Sequence, residues 1–71
     1  MNIEKLNQLV DEQYKRNKER FGEQPTATLI LETEDQVGKL RDALLHRTEG
    51  QVARRVINVC SLMRAIAEEL S

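Results

Sequence analysis

Apolar positions along the chain fall into helical stripes interrupted at two places. In the first segment Ile3, Leu6, Val10, Tyr14, Asn17 and Phe21 recur at spacings of 3, 4, 4, 3 and 4, one face of an α-helix, and Leu9 widens it. Asn2 is placed to cap this helix and Gly22 to end it, which predicts a helix over about 3–21. The stripe thins toward its end, where Lys15, Arg16, Lys18, Glu19 and Arg20 crowd a turn and a half. That end is expected to be solvated or to meet a partner.

Gly22-Glu23-Gln24-Pro25 breaks the pattern. The next residues, Thr26-Ala27-Thr28-Leu29-Ile30-Leu31-Glu32, are β-branched and apolar, and predict a short extended or β segment over about 26–32. A helix from Pro25 competes, because Ile30, Thr33, Val37, Leu40 and Leu44 share a helical face. A lone strand would have no partner in the chain and would have to pair with another subunit or lie as extended chain.

Thr33-Glu34-Asp35-Gln36 has the spacing of a capping box and predicts a helix over about 34–47 that buries Val37, Leu40, Leu44 and Leu45. Gly38 inside it costs roughly 1 kcal/mol against alanine, a cost that close approach by a neighbouring backbone would explain. Thr48-Glu49-Gly50-Gln51 repeats the capping-box spacing, so a third helix, about 49–70, follows after a tight corner. On it Val52, Val56, Val59, Met63, Ile66 and Leu70 follow spacings of 4, 3, 4, 3 and 4, the seam of a coiled-coil-like surface. Ala53, Ile57, Cys60, Leu62 and Ala67 widen the seam beyond what a surface helix buries. The third helix is therefore expected to be central, with a second copy of itself covering the seam.

Composition points the same way. With 71 residues, 39% of them hydrophobic and 3% aromatic, the burial gain and the ordering cost of a single domain, 1–71, come out near balance. One cysteine cannot make an internal disulfide, and one cysteine plus one histidine cannot build a four-ligand zinc site. Self-association is the remaining support. The expected fold is thus mainly α: three helices and a short extended segment, assembled as a homo-oligomeric bundle, with a dimer favoured. No apolar run approaches the roughly 18 residues of a membrane span, no leader pattern opens the chain, and Cys60 suits a reducing compartment. A cytoplasmic protein that does not enter membranes is expected.

Candidate chemistry is sparse. Cys60 sits mid-helix on an apolar flank, away from the cation or helix N-terminus that activates a thiol. His46 has no titrating neighbour and suits the end of a helix dipole. The adjacent carboxylates Asp11/Glu12, Glu34/Asp35 and Glu68/Glu69 diverge by about 100° on a helix and build no shared site. No enzyme, cofactor or metal is expected. One cluster is sharper: Arg41, His46, Arg47, Thr48, Arg54 and Arg55 bracket the corner before the third helix, where a helix N-terminus beside arginines suits an anion such as a nucleotide. A second cluster, Lys15, Arg16, Lys18 and Arg20, is a contact candidate for a partner protein or, less well, nucleic acid. The net charge is −1, and the only aromatics, Tyr14 and Phe21, belong to the apolar stripe.

The strand-helix-helix order from Thr26 to Leu70 resembles a ribbon-helix-helix repressor, in which two chains pair strands into a DNA-reading ribbon. That resemblance implies a homodimer that binds DNA. It covers element order over about 45 residues, and the outward strand positions Thr26, Thr28, Ile30 and Glu32 include no arginine, lysine, asparagine or glutamine to read bases. The residues favour instead a small non-enzymatic accessory, inhibitor or adaptor protein, of the kind bacteria and their phages encode. It would act as a homo-oligomer on a partner's surface.

Overall fold

The fold is described from a computed structural model, which covers residues 1–70; Ser71, the last residue of the expected domain, lies outside the described residues. Three helices follow one another, α1 (Ile3–Phe21), α2 (Thr26–Leu45) and α3 (Glu49–Glu68), with no strand among the described residues. The mainly α, three-helix reading therefore holds.

The limits of α1 are the ones its sequence dictates. Asn2 Oδ1 accepts the Lys5 N–H at 2.7 Å, and Gly22 takes φ 65° while its N–H donates to the Lys18 carbonyl. A left-handed residue of this kind closes a helix at little steric cost only when it is glycine.

Residues 26–32 are helical, which corrects the extended segment. Pro25, at φ −59° and ψ 145°, stands at the N-cap, and the helix runs unbroken from Thr26 to Leu45. Local β preference is worth tenths of a kcal/mol per residue, and an unpaired strand leaves its backbone groups without partners. The helix satisfies those groups and buries Leu29 against α3. With the strand goes the strand-helix-helix order that carried the repressor resemblance. Thr33 is consequently not a cap: it lies inside α2 and its hydroxyl donates to the Leu29 carbonyl at 2.7 Å.

Thr48 makes no side-chain cap either. Its hydroxyl donates back to the Ala43 carbonyl at 3.4 Å. The corner is built by the end of α2, not by the start of α3. Thr48 N–H reaches Ala43 O at 3.1 Å and Arg47 N–H reaches Leu44 O at 3.3 Å, the paired bonds of a Schellman closure. Arg47 occupies the position where glycine normally sits, at φ 54°. Replacing it relieves a left-handed penalty of about 1–2 kcal/mol, offset in part by the greater freedom of unfolded glycine. Arg47→Gly is expected to stabilise the chain by about 0.5–1 kcal/mol, read from the urea midpoint at unchanged slope.

α3 lies between the other two, as its wide apolar face predicts: α1 and α2 each pack on it and not on one another. α2 returns antiparallel to α3, joining Thr26 to Glu69 at one end and Ala43 to Thr48 at the other. α1 runs in the direction of α3, with Leu6 near Val52 and Val56, and Tyr14 at Glu68. Among the described residues only Leu29, Ala43 and Ser61 are buried. α2 faces α3 with Leu29, Thr33, Gln36, Leu40 and Ala43, spaced 4, 3, 4 and 3, so the expectation that it buries Val37, Leu44 and Leu45 is corrected: all three are exposed and Leu40 is half-buried. Gly38 also departs from expectation, since a Cβ built there meets nothing within 4 Å.

Candidate functional site

Because α1 and α2 meet α3 but not each other, a cleft of about 580 Å³ opens between them over α3. Its walls mix apolar groups such as Leu29 and Leu62 with a connected set of polar side chains. From α1, Gln13 donates its amide to Asn17 Oδ1 at 2.9 Å, and Arg16 holds the Gln13 oxygen at 2.9 Å. Asn17 in turn donates to Ser61 Oγ on α3 at 3.5 Å. Ser61 is 1% exposed and donates its own proton to the Asn58 carbonyl one turn earlier, at 2.8 Å. On the other wall the Gln36 oxygen of α2 accepts from Arg55 and from Asn58, both at 3.2 Å. Four carboxamides and a serine thus occupy inward positions where helices of this size normally place leucine or alanine. Every one is satisfied: among the described residues no buried side-chain nitrogen or oxygen lacks a partner.

The rim carries both signs of charge. Lys18, Arg20, Arg54 and Arg55 stand against Glu23, Glu32, Glu68 and Glu69, so the cleft has local polarity without a net field. Tyr14 organises one end. The Arg64 guanidinium lies 4.3 Å from its ring centroid and Lys18 Nζ 5.7 Å, while its hydroxyl donates to Glu68. That bond to a carboxylate, helped by desolvation, raises the phenol above its ordinary value. Arg64 also donates to Asp11 Oδ1 at 2.7 Å, and Lys15 pairs with the same carboxylate at 3.0 Å. The two cations, Arg64 foremost, hold Asp11 below the usual aspartate range. Lys18 is raised by its contact with Glu23. The α1–α3 contact is therefore largely ionic along this edge, and exposed pairs of this kind contribute little each.

The arginine cluster expected at the corner is divided. Arg54 and Arg55 face the cleft; Arg47 lines a second, apolar groove with Glu49, and Arg41 is exposed beside Asp42 at 3.8 Å. His46 is the exposed C-cap of α2, and Thr48 is exposed in the corner. The basic cluster of α1 is divided too. Lys15 and Arg16 engage residues of their own helix, while Lys18 and Arg20 reach the cleft rim, Arg20 at 5.2 Å from the Phe21 ring. Cys60 is a half-buried free thiol.

The apolar seam of α3 stays partly open. Val52 and Val56 line the second groove, of about 530 Å³, with Met1, Leu6, Ala53 and Leu44. Val59 and Ile66 are half-buried, and Met63 and Leu70 are exposed. Two features escaped the sequence reading. The carboxamides of the cleft were signalled by polar residues on helical seams, Asn17 in α1 and Gln36 in α2. The signal for the exposed apolar flank of α2 is Ile30, Val37 and Leu44 at heptad spacing, a pattern that core packing also produces.

Among the described residues no cluster of histidine, cysteine and carboxylates could hold a metal ion, and no helix is long and apolar enough to cross a membrane. No family model, no curated protein and no solved structure matches this chain.

Proposed function

We propose that the protein is a small non-enzymatic binding protein that works as a homo-oligomer through protein–protein contacts, an accessory, inhibitor or adaptor. One observation carries this reading. Among the described residues two apolar ones, Leu29 and Ala43, are buried, whereas Ile30, Leu31, Val37, Leu44 and Leu45 of α2, Met63 of α3 and Leu70 just beyond it are exposed large hydrophobics, as are Met1, Ile3 and Phe21. Single exposed apolar side chains are ordinary, but a chain with more large apolar groups outside than inside has its main burial still to make. A second copy supplies it most simply, and of the seam Val52, Val56, Val59, Met63, Ile66 and Leu70 the exposed Met63 and Leu70 and the groove at Val52 and Val56 are open to the same assembly. Light scattering on the purified chain tests this: a mass of two or more chains supports the reading, and a single-chain mass contradicts it.

A second reading, capture of a small anionic ligand such as a nucleotide, is supported by Arg54 and Arg55 on the wall of the polar cleft. Arginine pairs with phosphate and carboxamides pair with base edges, in a volume typical of ligand sites. On this reading nucleotides raise the melting temperature of the wild type and fail to do so for Arg54→Ala. Equal shifts in both proteins, or none in either, would contradict it.

A further inference from the structure

The exposed flank of α2 is self-complementary. Ile30, Leu31, Val37, Leu44 and Leu45 are each between 45% and 71% exposed, and they supply half of the exposed large hydrophobics of the described chain. At 3.6 residues per turn Ile30, Glu34, Val37, Arg41 and Leu44 fall in one stripe about 80° wide, bordered by Leu31, Gly38 and Leu45. The middle of this stripe lies about 100° around the helix from the middle of the residues that face α3, and its edge at Leu44 borders the groove lined by Val52, Ala53 and Val56.

Its residues are complementary about the midpoint between Val37 and Gly38: apolar meets apolar, acid meets base and large meets small. Ile30 and Leu31 balance Leu45 and Leu44. Glu34 balances Arg41, each four positions from the residue beside the midpoint on the far side. Val37 balances Gly38, where a Cβ would meet nothing of this chain within 4 Å. A two-fold interface needs this property, because residue i of one copy meets residue j of the other while j meets i.

We infer that α2 pairs antiparallel with α2 of a second copy, so that Glu34 of each chain meets Arg41 of the other and Val37 packs over the notch at Gly38. Two ion pairs, each about 5 Å from the axis along the helix, flank a small apolar centre and are closed off outside by the leucine and isoleucine pairs. The charges fix register and direction: a parallel pairing in register sets Glu34 against Glu34 and Arg41 against Arg41, which repels. The missing side chain at Gly38, unexplained within one chain, is then the space that the partner's valine occupies.

The inference rests on the homo-oligomer reading and names its interface, and charge reversal separates the two. Both positions are on the solvent side of a helix, so reversal leaves the chain folded, which circular dichroism verifies. Glu34→Arg alone and Arg41→Glu alone each place like charges at both sites of a homodimer, and each is expected to weaken dimerisation at least about 100-fold. Mixing the two variants restores opposite charges at both sites, and so does the double variant E34R/R41E. Sedimentation equilibrium should therefore show monomers for each single variant, dimers in the mixture and dimers for the double variant. A dimeric wild type whose single variants stay dimeric would overturn this interface and leave the oligomer reading standing. Single variants that dissociate without rescue by mixing or by the double reversal would overturn the Glu34–Arg41 pairing. A monomeric wild type would overturn both.

Discussion

Leu29→Ala is expected to cost about 2–4 kcal/mol, the usual range for truncating a buried leucine. Leu29 is one of two buried apolar residues, 6% exposed, and it fastens the first turns of α2 to the central helix. A chain of 71 residues holds roughly 4–10 kcal/mol in total at typical values per residue. One methyl-rich side chain thus carries a large share of the whole. Urea unfolding followed by circular dichroism should show the midpoint falling sharply, while Leu29→Met, which keeps the volume, should lose less than about 1.5 kcal/mol. If Leu29→Ala unfolded at the wild-type midpoint, the packing of α2 on α3 described above would be wrong.

The second large effect concerns the floor of the cleft. Ser61 is 1% exposed, accepts from Asn17 and donates to the Asn58 carbonyl. Ser61→Leu puts a bulkier apolar side chain at a position 1% exposed, between α3 and Asn17, and deprives the Asn17 amide of its acceptor, so a loss of about 2–5 kcal/mol is expected from the two contributions together. Ser61→Ala keeps the space and removes only the hydroxyl, and should cost about 1 kcal/mol. The contrast between the two variants, measured in the same urea series, separates packing from hydrogen bonding. Equal losses would mean that the tight fit at Ser61 contributes nothing.

The central role of α3 and both ends of α1 were legible from local chemistry: the Asn2 cap, the Gly22 stop and the dense apolar spacing from Val52 onward. The helix at 26–32 was not, because β-branched residues speak for extended chain locally while the burial of Leu29 and the absence of a strand partner decide the outcome globally. Thr33 and Thr48 stand at capping-box spacing, yet both hydroxyls serve carbonyls behind them, and spacing cannot distinguish these uses. The corner at Arg47 hid for a related reason, since its closure has arginine in glycine's place. At the cleft, Asn17 falls on an apolar stripe and Gln36 at the spacing of a capping box, so neither position by itself signals a polar site. Only the juxtaposition of three helices shows that Asn17, Gln36, Asn58 and Ser61 line one space. For α2, periodicity revealed two apolar faces but not which of them meets α3. Thr33 and Gln36 go inward while Val37 goes outward and Leu44 stays exposed at the edge of the second groove, a choice set by the closure at Ala43 and the anchoring of Leu29.

On the proposed reading this chain completes its apolar packing with a second copy. Sedimentation equilibrium of the wild-type protein, from micromolar to hundreds of micromolar, measures it most directly. The expected result is a dimer whose mass falls toward that of one chain on dilution, as mass action requires of a reversible association. A single-chain mass over the whole range would contradict the claim.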